Sequence, residues 1–154
     1  MATLYSTQKT KWSQNVPSDK IKTTEQGGRL RIAFADVTLA SASSGDVVEM
    51  VNLPNGARII DGYLSHVNLG ASTTLSVGYA AHKNAAGTTV ALSAAAYYAA
   101  AASTSATRND ILATQALGSG SVVDANQDGL PISITLGGGT GSGLVQLTVR
   151  YVVD

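Results

Sequence analysis

After residue 28 the chain is dominated by alternation of apolar and polar side chains. In RLRIAFADV, residues 29–37, Leu30, Ile32 and Phe34 alternate with Arg29, Arg31, Ala33 and Ala35, the period-2 pattern of a half-buried strand. DVVEMVNL, 46–53, is a second strand, entered from the turn-forming Ser43-Ser44-Gly45. It stops at Leu53-Pro54-Asn55-Gly56, and an apolar run restarts at Ala57. Pro54 pre-sets φ for a turn, and Asn55-Gly56 tolerates the left-handed conformations of a tight reversal, so the stretch reads as a strand-to-strand turn.

In ARIIDGYLSHVNL, 57–69, alternation places Ile59, Asp61, Tyr63, Ser65 and Val67 on one face and Arg58, Ile60, Leu64 and His66 on the other. Gly62 marks a bulge or a close approach of another segment. TTLSVGYA, 73–80, puts Leu75, Val77 and Tyr79 on one face. ISITL, 132–136, precedes the cleanest amphipathic strand, LVQLTVRYVV, 144–153, in which Val145, Leu147, Val149, Tyr151 and Val153 alternate with Gln146, Thr148 and Arg150. Turn signals at short intervals predict an all-β fold over residues 29–154, a sandwich or a barrel, of which a single jelly-roll-like β-sandwich is the one expected.

Two segments depart from this pattern. VALSAAAYYAAAAS, 90–103, is alanine-rich and has the highest helix propensity of the chain, predicting a short helix that starts near Ser93. An isolated helix this short is marginal, so Leu92, Tyr97 and Tyr98 must pack on something. TSATRNDI, 104–111, reads as a loop leading into a weak strand. Residues 1–28 hold few large apolar side chains and end in Gln26-Gly27-Gly28, a natural boundary. They read as an extended N-terminal arm with Trp12 as its one anchoring side chain.

Charge sharpens the division. Only 13% of the 154 residues are charged, and ten basic side chains balance ten acidic ones. Residues 1–31 carry six basic and two acidic side chains, net +4, and the remainder carries four and eight, net −4. A basic front end ahead of an acidic body predicts an arm that lies on an acidic surface, including that of a neighbouring copy. The absence of cysteine excludes disulfides, Cys-ligated zinc, iron–sulfur centres and thiol catalysis. No run of 18 apolar residues exists, and MATLYSTQKTKW lacks the apolar core of a signal peptide, so a chain made in a cytoplasm with no membrane partner is expected.

Candidate chemistry is sparse. Asp124, Asn126 and Asp128, with Gly129, match the first half of a calcium loop, in which alternate oxygens converge. The twelfth position of such a loop is Thr135, inside a predicted strand, and Asp, Asn and Gly equally suit a plain turn. Gly137–Gly143 lacks the ending of a phosphate-binding loop and precedes a strand, so it reads as a hairpin loop between the last two strands. His66 and His82 are the only imidazoles and stand at no metal-ligand spacing; each reads as a surface or interface histidine. The body's basic residues, Arg58, Lys83, Arg108 and Arg150, are scattered and form no nucleic-acid stripe. No enzyme, cofactor, small-molecule substrate or specific nucleic acid is expected.

"VNLPNGARIIDGYLSHVNLGASTTLSVGYA", 51–80, together with the closing "LVQLTVRYVVD", resembles small virion structural proteins of tailed bacteriophages. The resemblance runs over most of residues 29–154; the alanine-rich segment fits loosely and the arm hardly at all. It implies a capsid decoration, or cement, protein: a β-sandwich, commonly a homotrimer, on the capsid surface of the virion, clamping adjacent subunits of the major capsid protein. It implies no catalytic, cofactor or metal residues. Candidate interface residues are Tyr5, Lys9, Lys11 and Trp12 of the arm and Tyr97 and Tyr98 of the alanine-rich segment. The alternatives are a head-fibre or tail component, or a carbohydrate- or surface-binding β-sandwich in which Tyr63, Tyr79, Tyr97 and Tyr98 stack on sugars.

Overall fold

The computed structural model describes residues 6–13, 22, 26–113 and 121–153. Among these residues the elements are one helix, α1 (Thr7–Ser13), and eleven strands: β1 (Leu30–Ala42), β2 (Val47–Leu53), β3 (Arg58–His66), β4 (Thr73–Tyr79), β5 (His82–Lys83), β6 (Thr89–Val90), β7 (Ser93–Ala102), β8 (Thr107–Asp110), β9 (Ser121–Val122), β10 (Leu130–Gly138) and β11 (Gly141–Val152). The first sheet has the order β1-β11-β3-β8, with β9 also paired to β3, and the second has the order β2-β10-β4-β7. Every pairing is antiparallel. First strand beside last, and second beside next to last, is the wrapped ribbon of a jelly roll, so the predicted all-β sandwich is what forms.

This topology sets the task of the turns read in the sequence. Apart from β4 to β7, each passage between the long strands changes sheet. Pro54-Asn55-Gly56 is therefore a corner that carries the chain from β2 in one sheet to β3 in the other. Its geometry is held from outside: Gly56 N donates to Val123 O at 3.0 Å, and Ala125 N donates to Asn55 Oδ1 at 3.3 Å. The glycine-rich segment before β11 is likewise a corner and not a hairpin loop, because β10 and β11 lie in different sheets. Gly138 there has φ +75, and a Cβ on it would sit 1.9 Å from Ser72 O.

The core lies between the sheets. Leu64, Val77, Ile132, Val145, Leu147 and Val149 are fully buried, so the alternation of β11 sends its valines and leucine inward as read. β3 departs from simple alternation. Arg150 faces Asp61 while its neighbour Tyr151 faces Ile59, leaving Ile60 as the extra residue of a β-bulge. The bulge resets the phase, so that Ile59 and Leu64 both enter the core while Asp61, Tyr63 and Ser65 remain outside it. Gly62 marks a close approach: a Cβ there would lie 2.5 Å from Thr148 O and 2.8 Å from Ile111 Cδ1.

Three further expectations are corrected. The alanine-rich segment is strand β7, the outer strand beside β4, and not a helix. Alanine's helix preference amounts to only tenths of a kcal/mol per residue over ordinary residues, and pairing with β4 plus burial of Tyr97 outweighs it. The arm is not extended throughout, since Thr7–Ser13 is helical and Ser6 Oγ accepts from Lys9 N at 3.1 Å in the manner of an N-cap. Finally, β1 is half-buried with the opposite half inward. Ala33, Ala35, Val37 and Leu39 turn toward the core, while Leu30, Ile32 and Phe34 face out.

Candidate functional site

The outward surface of the first sheet gathers a connected cluster of charged and aromatic side chains among the described residues. β-Sheet register sets its rows: Ile32, Arg150 and Asp61 across β1, β11 and β3; then Phe34, Thr148, Tyr63 and Asp110; then Asp36, Gln146, Ser65 and Arg108. The β3 bulge decides the first row, because without it Asp61 would share the inward face of Ile59. As built, Asp61 meets Arg150 in a two-pronged ion pair through Nε and Nη2, the latter at 2.6 Å. Arg150 Nη2 also donates to Tyr63 Oη at 3.0 Å. The hydrogen bonds that Arg150 donates to Asp61, aided by the carboxylate charge, push its guanidinium above its ordinary range and keep it cationic.

Tyr63 is held between two guanidinium groups. Arg108 lies 4.1 Å from its ring centroid, and Arg150 lies 5.4 Å from it. A cation over an aromatic face is a favourable contact, and here it fixes the ring and both arginines in one array. Next to this array stands an apolar stripe on β1, with Leu30 56%, Ile32 64% and Phe34 57% exposed. Ile60, pushed out by the bulge, is 43% exposed. Arginine, tyrosine and exposed large apolar residues on one flat face are the composition of a protein–protein contact surface.

The residues singled out from sequence divide between this surface and other places. Lys9, Lys11 and Trp12 lie on α1, where Trp12 is 67% exposed; Tyr5 lies outside the described residues. Tyr97 is 6% exposed and belongs to the core, with Tyr79 in edge-to-face contact at 6.2 Å, and Tyr98 is half-buried. Burial pushes the Tyr97 phenol up to about 12, against a smaller lowering by the Ser121 hydrogen bond. The folded protein therefore keeps the Tyr97 proton up to about pH 12, whereas the unfolded chain releases it near pH 10. This contribution is complete below pH 10 and is lost as pH rises through 12, amounting to about 2–3 kcal/mol. Tyr97→Phe should cost about 1 kcal/mol at neutral pH through the lost hydrogen bond, yet flatten the alkaline limb of a denaturation series against pH.

Of the two histidines, only His66 departs from the surface position its sequence context suggests. His66 is buried, with Nδ1 2.9 Å from Val67 O, and the half-buried His82 has Nδ1 3.1 Å from Ala80 O. Each bond to a carbonyl requires a proton on Nδ1. Asp61 points to the opposite face from His66, and Asp110 accepts from Leu112 N at 2.9 Å, so no acid–histidine pair forms from them. In the calcium-like segment the oxygens do not converge. Asp124 accepts from Ala85 N at 3.0 Å, while Asn126 Nδ2 donates to Asp128 Oδ2 at 2.6 Å and Asp128 N to Asn126 Oδ1 at 3.0 Å. This is a side-chain-capped turn. Among the described residues no group of three or more acidic or histidine side chains is placed to hold a metal ion, and no helix is long and apolar enough to cross a membrane.

Comparison of folds places this architecture. A chain in the capsid of Ralstonia phage GP4 superposes with a TM-score of 0.62 at 20% identity, over 82% of this chain and 86% of that one. A chain in the capsid asymmetric unit of cyanophage Pam1 superposes with a TM-score of 0.57 at 18% identity, over 92% and 99%. The shared feature is the fold: an antiparallel sandwich that occurs in phage capsids. No family model matches the sequence, and no curated protein matches it.

Proposed function

We propose that this chain is a decoration, or cement, protein of a tailed-phage virion. It is made in the host cytoplasm and added to the capsid surface, where it binds across adjacent subunits of the major capsid protein as a homotrimer. The observation that carries this reading is that a fold shared along most of its length with chains of two phage capsids presents an exposed apolar and arginine–tyrosine face. Three side chains able to serve chemistry are engaged in structure: Asp61 on Arg150, Asp128 on a turn, His66 in the interior. A protein of this kind gains its grip from modest contacts repeated by symmetry.

In this reading the arm, with Lys9, Lys11 and Trp12, holds neighbouring copies together, so that their sheet faces grip the shell at once. Deleting residues 1–28 is expected to leave the sandwich folded and to weaken binding to shells stripped of this protein by about 100-fold, through lost multivalency. Co-sedimentation with purified shells measures it. Full binding by the truncated chain would remove the arm from the interface, and binding of the full chain to tails but not to heads would overturn the capsid assignment.

A further inference from the structure

The outward stripe of β1 asks for a cover that the single chain does not supply. Leu30, Ile32 and Phe34 are each more than half exposed, and the opposite side of the same strand already faces the core. A strand apolar on both faces is the pattern of one covered on both. Asp36, exposed and next on the same outward side, ends the stripe with a carboxylate. The chain also carries a helix of matching chemistry. On α1, Lys9 and Trp12 are three residues apart and share one face. Trp12 is 67% exposed.

We propose that the outward face of β1 is a self-association surface, occupied by α1 of a second copy of this chain, with Trp12 on Ile32 and Phe34 and Lys9 against Asp36. The identity of the occupant rests on two observations. The arm, residues 1–28, carries four basic and two acidic side chains, net +2, while residues 32–154 carry four and eight, net −4, which favours the arm on another copy's body. Both halves of the match stand open in the single chain, and the residues between Trp12 and Leu30 span at most about 60 Å, enough to reach a neighbour. Passed head to tail around a ring, the same contact closes the proposed trimer. The inference rests on the reading of this chain as a multi-copy shell protein and names the surface through which copies hold each other.

Trp12 is the only tryptophan, so its emission reports the contact directly. Sedimentation equilibrium and Trp12 fluorescence are followed together across a dilution series of the full chain. A mass above the monomer at high concentration is expected with blue-shifted emission, and both should revert together on dilution. Phe34→Ser should weaken association by about 10-fold or more. Lys9→Asp should weaken it about 10-fold, with Asp36→Lys in the same chain restoring it. A strict monomer, an oligomer with solvent-like emission, or a monomer with blue-shifted emission from an arm seated on its own body would each overturn the inference. Shell binding is measured on the same wild-type sample. Shell binding without self-association defeats this inference alone, and self-association without shell binding defeats the cement reading alone.

Discussion

Replacing Gly78 by alanine is expected to lower stability by more than about 3 kcal/mol, a large share of what a domain of this size holds. Gly78 sits in β4 where the first residues of β7 cross it. A Cβ there would lie 1.8 Å from Ser93 O and 2.7 Å from the Ala94 carbonyl carbon. Both are backbone atoms, so no rotamer change relieves the clash, and β7 must lift away from its partner. Lifting β7 also withdraws Tyr97 from the core and breaks its bond to Ser121. Urea unfolding should show a much lower midpoint, with a loss of near-ultraviolet tyrosine signal. Gly87→Ala is the control: its φ is +81 but nothing lies within 4 Å, so the cost is confined to about 1–2 kcal/mol of backbone strain.

Gly78 also shows where the sequence stops being informative. The strands themselves are legible in it, because a two-residue period survives wherever one face is buried, as in Val145, Leu147 and Val149. Which sheet each strand joins is not legible, since Pro-Asn-Gly serves a hairpin and an inter-sheet corner equally well. The bulge at Ile60 is hidden for a similar reason: one extra residue reverses the phase, and only the partner strand's register reveals it. The alanine-rich segment misleads because intrinsic propensity is weak beside a free strand edge on β4 and a tyrosine that needs burial. The face of Arg150, Asp61, Tyr63 and Arg108 draws on three separate strands, so no local motif announces it. Its members are visible in the chain, but their meeting is a property of register.

The sharpest consequence concerns Phe34, which looks like a core residue in the alternating pattern of 29–37 and stands on the surface in the fold. Leu147→Ala, on the neighbouring strand, should cost about 3–5 kcal/mol, since Leu147 is fully buried and its removal leaves a cavity between the sheets. Phe34→Ser should change stability of the monomer by no more than about 1 kcal/mol, because the ring is 57% exposed and its loss opens no void in the core. Urea denaturation of the two variants at a concentration where the chain is monomeric measures both. Were Phe34→Ser to cost as much as Leu147→Ala, β1 would present its other face to the core, and the stripe proposed as an interface would not exist. If the costs differ as expected, an aromatic residue that contributes little to the fold of one chain stands beside a fixed arginine–tyrosine array. Its place on the surface then follows from what the outward face binds, because the stability of the single chain does not require it.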